Sequence, residues 1–305
     1  MKISIIVPVF NASKYLKRCL DSILDSLGNT DGEVLVIDNN STDNSLEVLK
    51  SYHKKDSRVN VLQCATPGAA AVKNYGVKKA KGEFVWFIDA DDSIDKTAVS
   101  KLLAAGKGND IVMMGANRIG RDGSVSYLSA VDKEDKNYKS RFVRYGMGPW
   151  QVIIRREWWN KNGFAFREGI IHEDMELMSS LILHTDRYND VDEPLYYYYN
   201  NPDSVLHKKE FSPHIFDIFP ALEGLYQHFV DAGAGKKYHD ELEWFFIWNL
   251  LIDSAKDFAS FPEGKPGFKR SREMMKEDFP NWKQNRFLKE KPIKFRIRVR
   301  LNFIS

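Results

Sequence analysis

Ile3-Ser4-Ile5-Ile6-Val7-Pro8-Val9 opens the chain as a nearly unbroken apolar run. A run this short and this β-branched predicts a strand buried on both faces. Leu16, Cys19, Leu20, Ile23, Leu24 and Leu27 then recur at spacings of three and four, the pattern of an amphipathic helix that Gly28 ends. Asn11 and Ser13 are the residues available to cap it. Strands follow at Glu33–Ile37, Arg58–Gln63, Phe84–Ile88 and Asp110–Gly115. Helices fall between them: from a Thr42-Asp43 cap to about Ser51, from Pro67 to about Lys79, and from about Lys96 to Ala105. Strand and helix alternating through short links predict an α/β fold, with a mostly parallel sheet flanked by helices. Ligands of such sheets sit outside the carboxyl ends of the strands. The polar residues at three of those ends are Asn11, Asp38 and Asp89.

The pattern changes further on. Glu193 to Tyr199 reads as a strand with tyrosines on both faces. His214–Phe229 and Tyr238–Phe258 read as amphipathic helices parted by Ala232-Gly233-Ala234-Gly235. The expected organisation is a domain over 1–210, with a nucleotide half at 1–115 and an acceptor half at 116–210, then a helical region at 211–305. The tail Lys294-Phe295-Arg296-Ile297-Arg298-Val299-Arg300-Leu301 alternates charge and apolar side chain. As an extended strand it would have one basic face and one oily face.

Charge sharpens that reading. Residues 283–305 hold eight Lys/Arg and one acid, a net +7, which against +3 overall leaves −4 for the rest of the chain. A mildly acidic body argues against nucleic acid as a partner, because a binder would spread basic residues over a face. The basic tail fits the inner face of a cell membrane, where Lys and Arg are attracted to anionic lipid; an edge strand or a solvated tail fits it equally. No run reaches the ~18 apolar residues of a membrane span, and the start lacks the pattern of a secretory leader. Two cysteines, Cys19 and Cys64, suit a reducing compartment, with Cys19 on the apolar stripe of a helix. The expected location is cytoplasmic, peripheral at the membrane if the tail binds it.

The most informative chemistry is Asp89-Ala90-Asp91-Asp92, which directly follows a buried strand. Carboxylate oxygens suit hard cations, and Mg²⁺ characteristically combines one or two of them with substrate phosphates. The cluster therefore points to a site for Mn²⁺ or Mg²⁺ with a diphosphate, against the plain alternative of a turn. The loop after the first strand has no Gly-x-Gly-x-x-Gly, and no Gly-Lys-Ser/Thr opens a helix, so dinucleotide and P-loop readings fail.

Ile5-Ile6-Val7-Pro8-Val9-Phe10-Asn11, Val36-Ile37-Asp38-Asn39-Asn40-Ser41-Thr42-Asp43, Ala71-Val72-Lys73-Asn74-Tyr75-Gly76 and Asp89-Ala90-Asp91-Asp92 together resemble family 2 inverting glycosyltransferases of the GT-A fold. The resemblance continues through Pro149-Trp150, Ile154-Arg155-Arg156, Phe166-Arg167-Glu168-Gly169 and His172-Glu173-Asp174, covering about two-thirds of the chain. It implies a nucleoside pocket lined by Pro8, Val9 and Asn11. Asp38 would accept a hydrogen bond from the base, typically uracil, and Lys73 would lie near base and diphosphate. Asp89 would face the ribose or metal, with Ala90 beside it and Asp91 as metal ligand. Asp174 would be the catalytic base and Glu173 its support. Trp150 belongs to an acceptor-side loop, stacking on a sugar or packing internally. Ser204 and His207 are candidates for a loop that closes on the diphosphate, His207 as a further metal ligand or merely a solvated histidine. Two departures stand out: Asn39 replaces the family's second acid, and Lys73 replaces its arginine, which keeps the charge but loses the bidentate fork.

The implied reaction moves a sugar from a nucleoside diphosphate, UDP favoured, to a hydroxyl of a glycan or lipid-linked acceptor. Glu173-Asp174 opens a helix, where the dipole favours an ionised carboxylate. Two other readings compete. A non-catalytic sugar-nucleotide-binding scaffold would have no reason to keep the metal and base residues together. A sugar-nucleotide pyrophosphorylase should show a glycine-rich basic loop near its start, and none is present.

Overall fold

The computed structural model describes residues 1–129, 138–201 and 210–304. The described chain forms two compact units. The first comprises residues 1–129, 148–169 and 185–201; the second comprises 138–147, 170–184 and 210–304.

The first unit is built on a nine-stranded sheet. In chain order its strands are β1 (Ile3–Val9), β2 (Gly32–Asp38), β3 (Val59–Gln63), β4 (Phe84–Phe87), β5 (Ser93–Ile94), β6 (Ile111–Ile119), β7 (Val125–Leu128), β8 (Val152–Arg155) and β9 (Tyr188–Tyr199). Their spatial order is β3-β2-β1-β4-β8-β6-β9-β5, with β7 on β6. The first four strands, where strand and helix alternate, are parallel. Beyond β4 the sheet is mixed, because β8 runs antiparallel between β4 and β6.

Register explains why the strand ends converge. Val9 pairs with Asp38 and Ile6 with Phe87, so β2, β1 and β4 finish side by side. Helix Leu16–Leu27 lays Leu16, Cys19, Leu20, Ile23 and Leu27 over Ile3, Ile5, Val7, Val36, Phe84 and Trp86. Each fully buried aliphatic side chain contributes about 1.5–3 kcal/mol before entropy is counted. On the other face, helix Ala69–Lys79 approaches so closely that a Cβ at Gly76 would lie 2.5 Å from Ile6 Cγ2. Only glycine allows that contact without repacking.

Some helix starts differ from the sequence expectation. The first helix begins at Leu16 with no side-chain cap, because Asn11 and Ser13 are engaged with the 41–43 loop instead. The second begins at Ser45, whose N–H donates to Asp43 Oδ1 at 2.9 Å. The third begins at Ala69.

The second unit is helical, with helices at Tyr138–Tyr145, Glu173–Leu181, Ile218–Asp231, His239–Trp248, Lys265–Asp278 and Ile293–Ile304 among others. The tail corrects the sequence reading: residues 293–304 form an α-helix and not an extended strand. Its inward contacts have helical spacing. Val299 is buried, Phe295 stacks on Trp248 (centroids 6.2 Å apart), Phe303 meets Trp282 (5.1 Å), and Asn302 donates to Leu251 O at 2.7 Å. Docking at positions i, i+4, i+7 and i+8 overrides a local period of two. Among the described residues no helix is long and apolar enough to cross a membrane.

Candidate active site

At the end of β1 the backbone turns sharply, with Asn11 at φ 48°. Asparagine tolerates this left-handed conformation better than most residues. Its Oδ1 accepts from Thr42 N at 2.8 Å, and its own N–H donates to Ser41 Oγ at 3.1 Å. The loops after β1 and β2 are thereby tied together. Ser13 N adds a bond to Asp43 Oδ2 at 3.0 Å. Burial works to raise the Asp43 carboxyl, but hydrogen bonds from Ser13 and Ser45 outweigh it and hold the group at about 2. Pro8 is half-buried, whereas the Val9 side chain lies in the core, so only its backbone faces the strand end.

Asp38 closes β2 with 3% of its surface exposed, and among the described residues its Oδ1 has no hydrogen-bond partner. A buried carboxylate oxygen left unpaired costs about 1–3 kcal/mol or more. Ordered water or a bound donor can satisfy such an oxygen. Asn39 next to it has a different job. Its Nδ2 donates to Cys64 O and Thr66 O, both at 2.8 Å, and its Oδ1 accepts from Gly68 N at 2.9 Å. A carboxylate could not make the two donated bonds. The amide at this departure from the family pattern therefore fixes the loop that leads into helix Ala69–Lys79. Asn40 sits at φ 62°, as its turn requires. Lys73, on that helix, is buried with its ammonium 5.2 Å from the Phe166 ring centroid.

The acidic run after β4 divides by burial. Asp89 and Asp91 are half-buried, while Asp92 is 1% exposed. Asp92 Oδ2 accepts from Tyr196 Oη at 2.6 Å and Oδ1 from Tyr199 N at 2.8 Å. Tyr196 Oη in turn accepts from Asp89 N at 3.2 Å. Burial, then the neighbouring Asp89 carboxylate, push Asp92 up to about 8 against those hydrogen bonds. Asp91 Oδ2 accepts from Asn201 Nδ2 at 2.8 Å, and Asn201 Oδ1 from Tyr15 Oη at 2.9 Å. The Arg18 guanidinium stacks 3.5 Å over the Tyr199 ring and donates to Asp91 O. Asp92 and Ala90 are thus part of the scaffold, and Asp89 and Asp91 are the carboxylates presented at the surface. The two presented carboxylates, Asp89 and Asp91, offer oxygen donors of the kind that Mg²⁺ or Mn²⁺ takes.

Trp150 lies over Tyr196 and Tyr198, with centroids 4.6 and 5.7 Å away and planes within 25°. Its carbonyl accepts from Trp86 Nε1 at 2.8 Å. Internal stacking, open to it from sequence, is realised on this side of the ring.

Glu173 and Asp174 belong to the second unit, in the first turn of helix Glu173–Leu181. Glu173 is buried and Asp174 half-buried, with Asp174 Oδ1 accepting from Met175 N at 2.8 Å. Ile171 N, just before the helix, donates to Asp217 Oδ2 at 3.1 Å and anchors its entry. Ser204 and His207 lie outside the described residues. The sequence reading missed Arg18, Tyr196, Tyr199 and Asn201 as supports of the acidic run. The tyrosine-rich strand was visible, but its partners lie roughly a hundred residues away.

A GT-A-type sheet with carboxylates at the carboxyl ends of β2 and β4 defines the class. The profile of the family described as Glycosyl transferase family 2 matches residues 4–164, more than half of the chain, and the chain belongs to that family. It is a glycosyltransferase. Among its relatives, the uncharacterized glycosyltransferase EpsJ of Bacillus subtilis is 26% identical over 77% of this chain and 72% of its own length. YibD of Escherichia coli, also an uncharacterized glycosyltransferase, is 27% identical over 75% and 72%. Poly(ribitol-phosphate) beta-N-acetylglucosaminyltransferase TarS of Staphylococcus aureus is 31% identical over 65% of this chain and 35% of its own length. The crystal structure of TarS 1–349 in complex with UDP-GlcNAc superposes with a TM-score of 0.77, covering 99% of this chain and 89% of that one at 22% identity. At that identity the likeness establishes the fold.

Proposed function

We propose that this glycosyltransferase moves a sugar from a UDP-linked donor to a hydroxyl of a glycan or lipid-linked acceptor, with inversion, assisted by Mn²⁺ or Mg²⁺. The observation that carries the donor reading is Oδ1 of Asp38, buried at the strand end and without a hydrogen-bond partner among the described residues. It is an acceptor suited to a base N–H, and uracil offers one. TarS, solved with UDP and with UDP-GlcNAc, supports a UDP donor and a polymeric acceptor. A mannosyltransferase of Pyrobaculum calidifontis, solved with GDP-Man and Mn²⁺ at a TM-score of 0.51, supports a divalent cation and leaves GDP as the donor to test second.

Asp91 and Asp89 would hold the cation, with His207 as a further candidate. Bound there, it would supply positive charge against the leaving diphosphate. Asp38 takes the base N–H, and the Asn11–Thr42 tie keeps the two loops beside the nucleoside in register. Lys73 contributes positive charge on the diphosphate side. Asp174 accepts the proton of the acceptor hydroxyl as its oxygen bonds to C1 of the sugar and the bond from C1 to the diphosphate oxygen breaks. Because no protein nucleophile intervenes, the anomeric centre inverts. The half-burial of Asp174, against the burial of Glu173, supports this choice of base.

Calorimetric titration of UDP with and without Mn²⁺, repeated on Asp91→Asn, tests the donor site. Binding that needs both metal and Asp91 is expected. Metal-dependent affinity unchanged in Asp91→Asn would sink the ligand assignment, and binding of GDP but not UDP would replace the donor.

A further inference from the structure

Helix Ile293–Ile304 presents three large apolar side chains to solvent: Ile293 at 58%, Ile297 at 49% and Leu301 at 58% exposure. They stand four residues apart. Each step of four advances about 40° around a helix, so the three form one stripe about 80° wide. Val299, fully buried, projects from nearly the opposite side, and Phe295, Asn302 and Phe303 hold that side to the second unit. The stripe is therefore the outward face of a docked helix.

Its borders are basic on both sides. Exposed Lys294 and Arg298 follow the stripe within about 60° on one edge, and exposed Arg300 with half-buried Arg296 lies within about 60° on the other. The helix contains no acid. At about 1.5 Å per residue its 12 residues span about 18 Å, too short to cross a bilayer but suited to lie in one. An apolar stripe between cationic borders is what an interfacial helix offers to lipid, and here the opposite side is already held by protein.

We propose that this face seats the protein on an anionic lipid surface, with Ile293, Ile297 and Leu301 entering the headgroup–acyl boundary and Lys294, Arg298 and Arg300 meeting lipid phosphates. Charge selects this occupant. A second copy of the chain meeting the same face would bring two cationic borders together without a counter-charge, whereas an anionic bilayer supplies both the apolar phase and the negative rim. Each basic side chain near such a surface raises affinity about fivefold. The inference does not depend on the donor or the reaction.

The test is sedimentation of the full chain with phosphatidylcholine vesicles, with and without phosphatidylglycerol. Wild type is expected to sediment with the phosphatidylglycerol-containing vesicles and not with the neutral ones. The double variant Ile297→Ser/Leu301→Ser should lose partitioning by about tenfold or more, through lost apolar burial. Lys294→Glu/Arg298→Glu should lose the preference for anionic lipid. All four side chains are exposed, so both variants should melt at the wild-type temperature. Failure of wild type to sediment overturns the proposal. Wild-type partitioning of Ile297→Ser/Leu301→Ser also overturns it, since charge adsorption would not need the stripe. A vesicle-free dimer that the serine variant converts to monomer would assign the stripe to a second copy instead.

Discussion

Two aspartates on the same edge of the sheet, one at the end of β2 and one beyond β4, are both almost fully hidden, Asp38 at 3% and Asp92 at 1% exposure, yet they should respond oppositely to removal. Asp92 accepts two hydrogen bonds, from Tyr196 Oη and Tyr199 N. Asp92→Ala leaves both donors buried and unpaired at about 1–3 kcal/mol each, a destabilisation of roughly 2–6 kcal/mol. Asp38 Oδ1 has no partner among the described residues. Asp38→Ala removes a buried acceptor that the folded chain does not satisfy, so relief of that penalty offsets the lost packing. Its stability should stay within about 1 kcal/mol of wild type.

The binding effect runs the other way. A hydrogen bond to a charged group contributes about 1.5–3 kcal/mol, so Asp38→Ala should weaken UDP binding roughly 10- to 150-fold. Urea denaturation gives the first quantity and calorimetric titration with Mn²⁺ the second. UDP affinity within threefold of wild type in Asp38→Ala would refute the assignment to the base. Destabilisation of Asp38→Ala as large as that of Asp92→Ala would show that Asp38 is a structural residue.

Asn39→Asp should cost roughly 1–3 kcal/mol in denaturation midpoint experiments at neutral pH, because an ionised carboxylate would face the carbonyls of Cys64 and Thr66 in place of a donor; unchanged stability would mean the loop is held otherwise. Asp174→Asn should keep donor affinity while turnover falls by ~10²-fold or more, as loss of a general base entails, and full activity would move the base elsewhere. Asp43, held at about 2 in the folded chain, stabilises fully above its unfolded value near pH 4, and that contribution is lost as pH falls toward 2. Asp43→Asn should therefore flatten the acid limb of a stability–pH curve, and an unaltered limb would refute the coupling to Ser13 and Ser45.

Sequence pattern carried the parallel half of the sheet because most strands there are short apolar runs, and short links join them to helical segments, the first with a clear apolar stripe. Register then follows from topology, and the positions of Asn11, Asp38 and Asp89 at adjacent ends follow from register. Caps were less legible. Asn11 has the chemistry of a cap, but its acceptor is taken by the 41–43 loop, a partner about thirty residues away. The tail misled for a related reason. Its local alternation favours a strand, yet the contacts of Phe295, Val299 and Asn302 reward a helix, and those partners are distant in sequence. The acidic run shows the same limit at the site. In sequence Asp89, Asp91 and Asp92 are equivalent carboxylates; only Tyr196 and Tyr199, contributed by β9, withdraw Asp92 into the scaffold.

The departures from the family pattern also acquire physical meaning. Asn39 stands where the family resemblance implies a second acid, and both polar atoms of its side chain are engaged with the 64–68 loop. Its side chain is oriented by the loop and is not directed by any unpaired atom toward a ligand. On the proposed reading, recognition of a nucleobase on this side of the sheet rests on Asp38, whose Oδ1 has no partner among the described residues, and on the backbone around Asn11 that holds the adjacent turn. A donor site that depends on one buried acceptor discriminates by whether a base presents an N–H to it, since leaving a buried polar group unpaired is what makes rejection strong. Uracil and guanine both carry such a donor, so the sharper comparison is within one base: a uracil methylated at N3 should lose as much affinity for wild type as UDP loses for Asp38→Ala, and should bind Asp38→Ala no worse than UDP does.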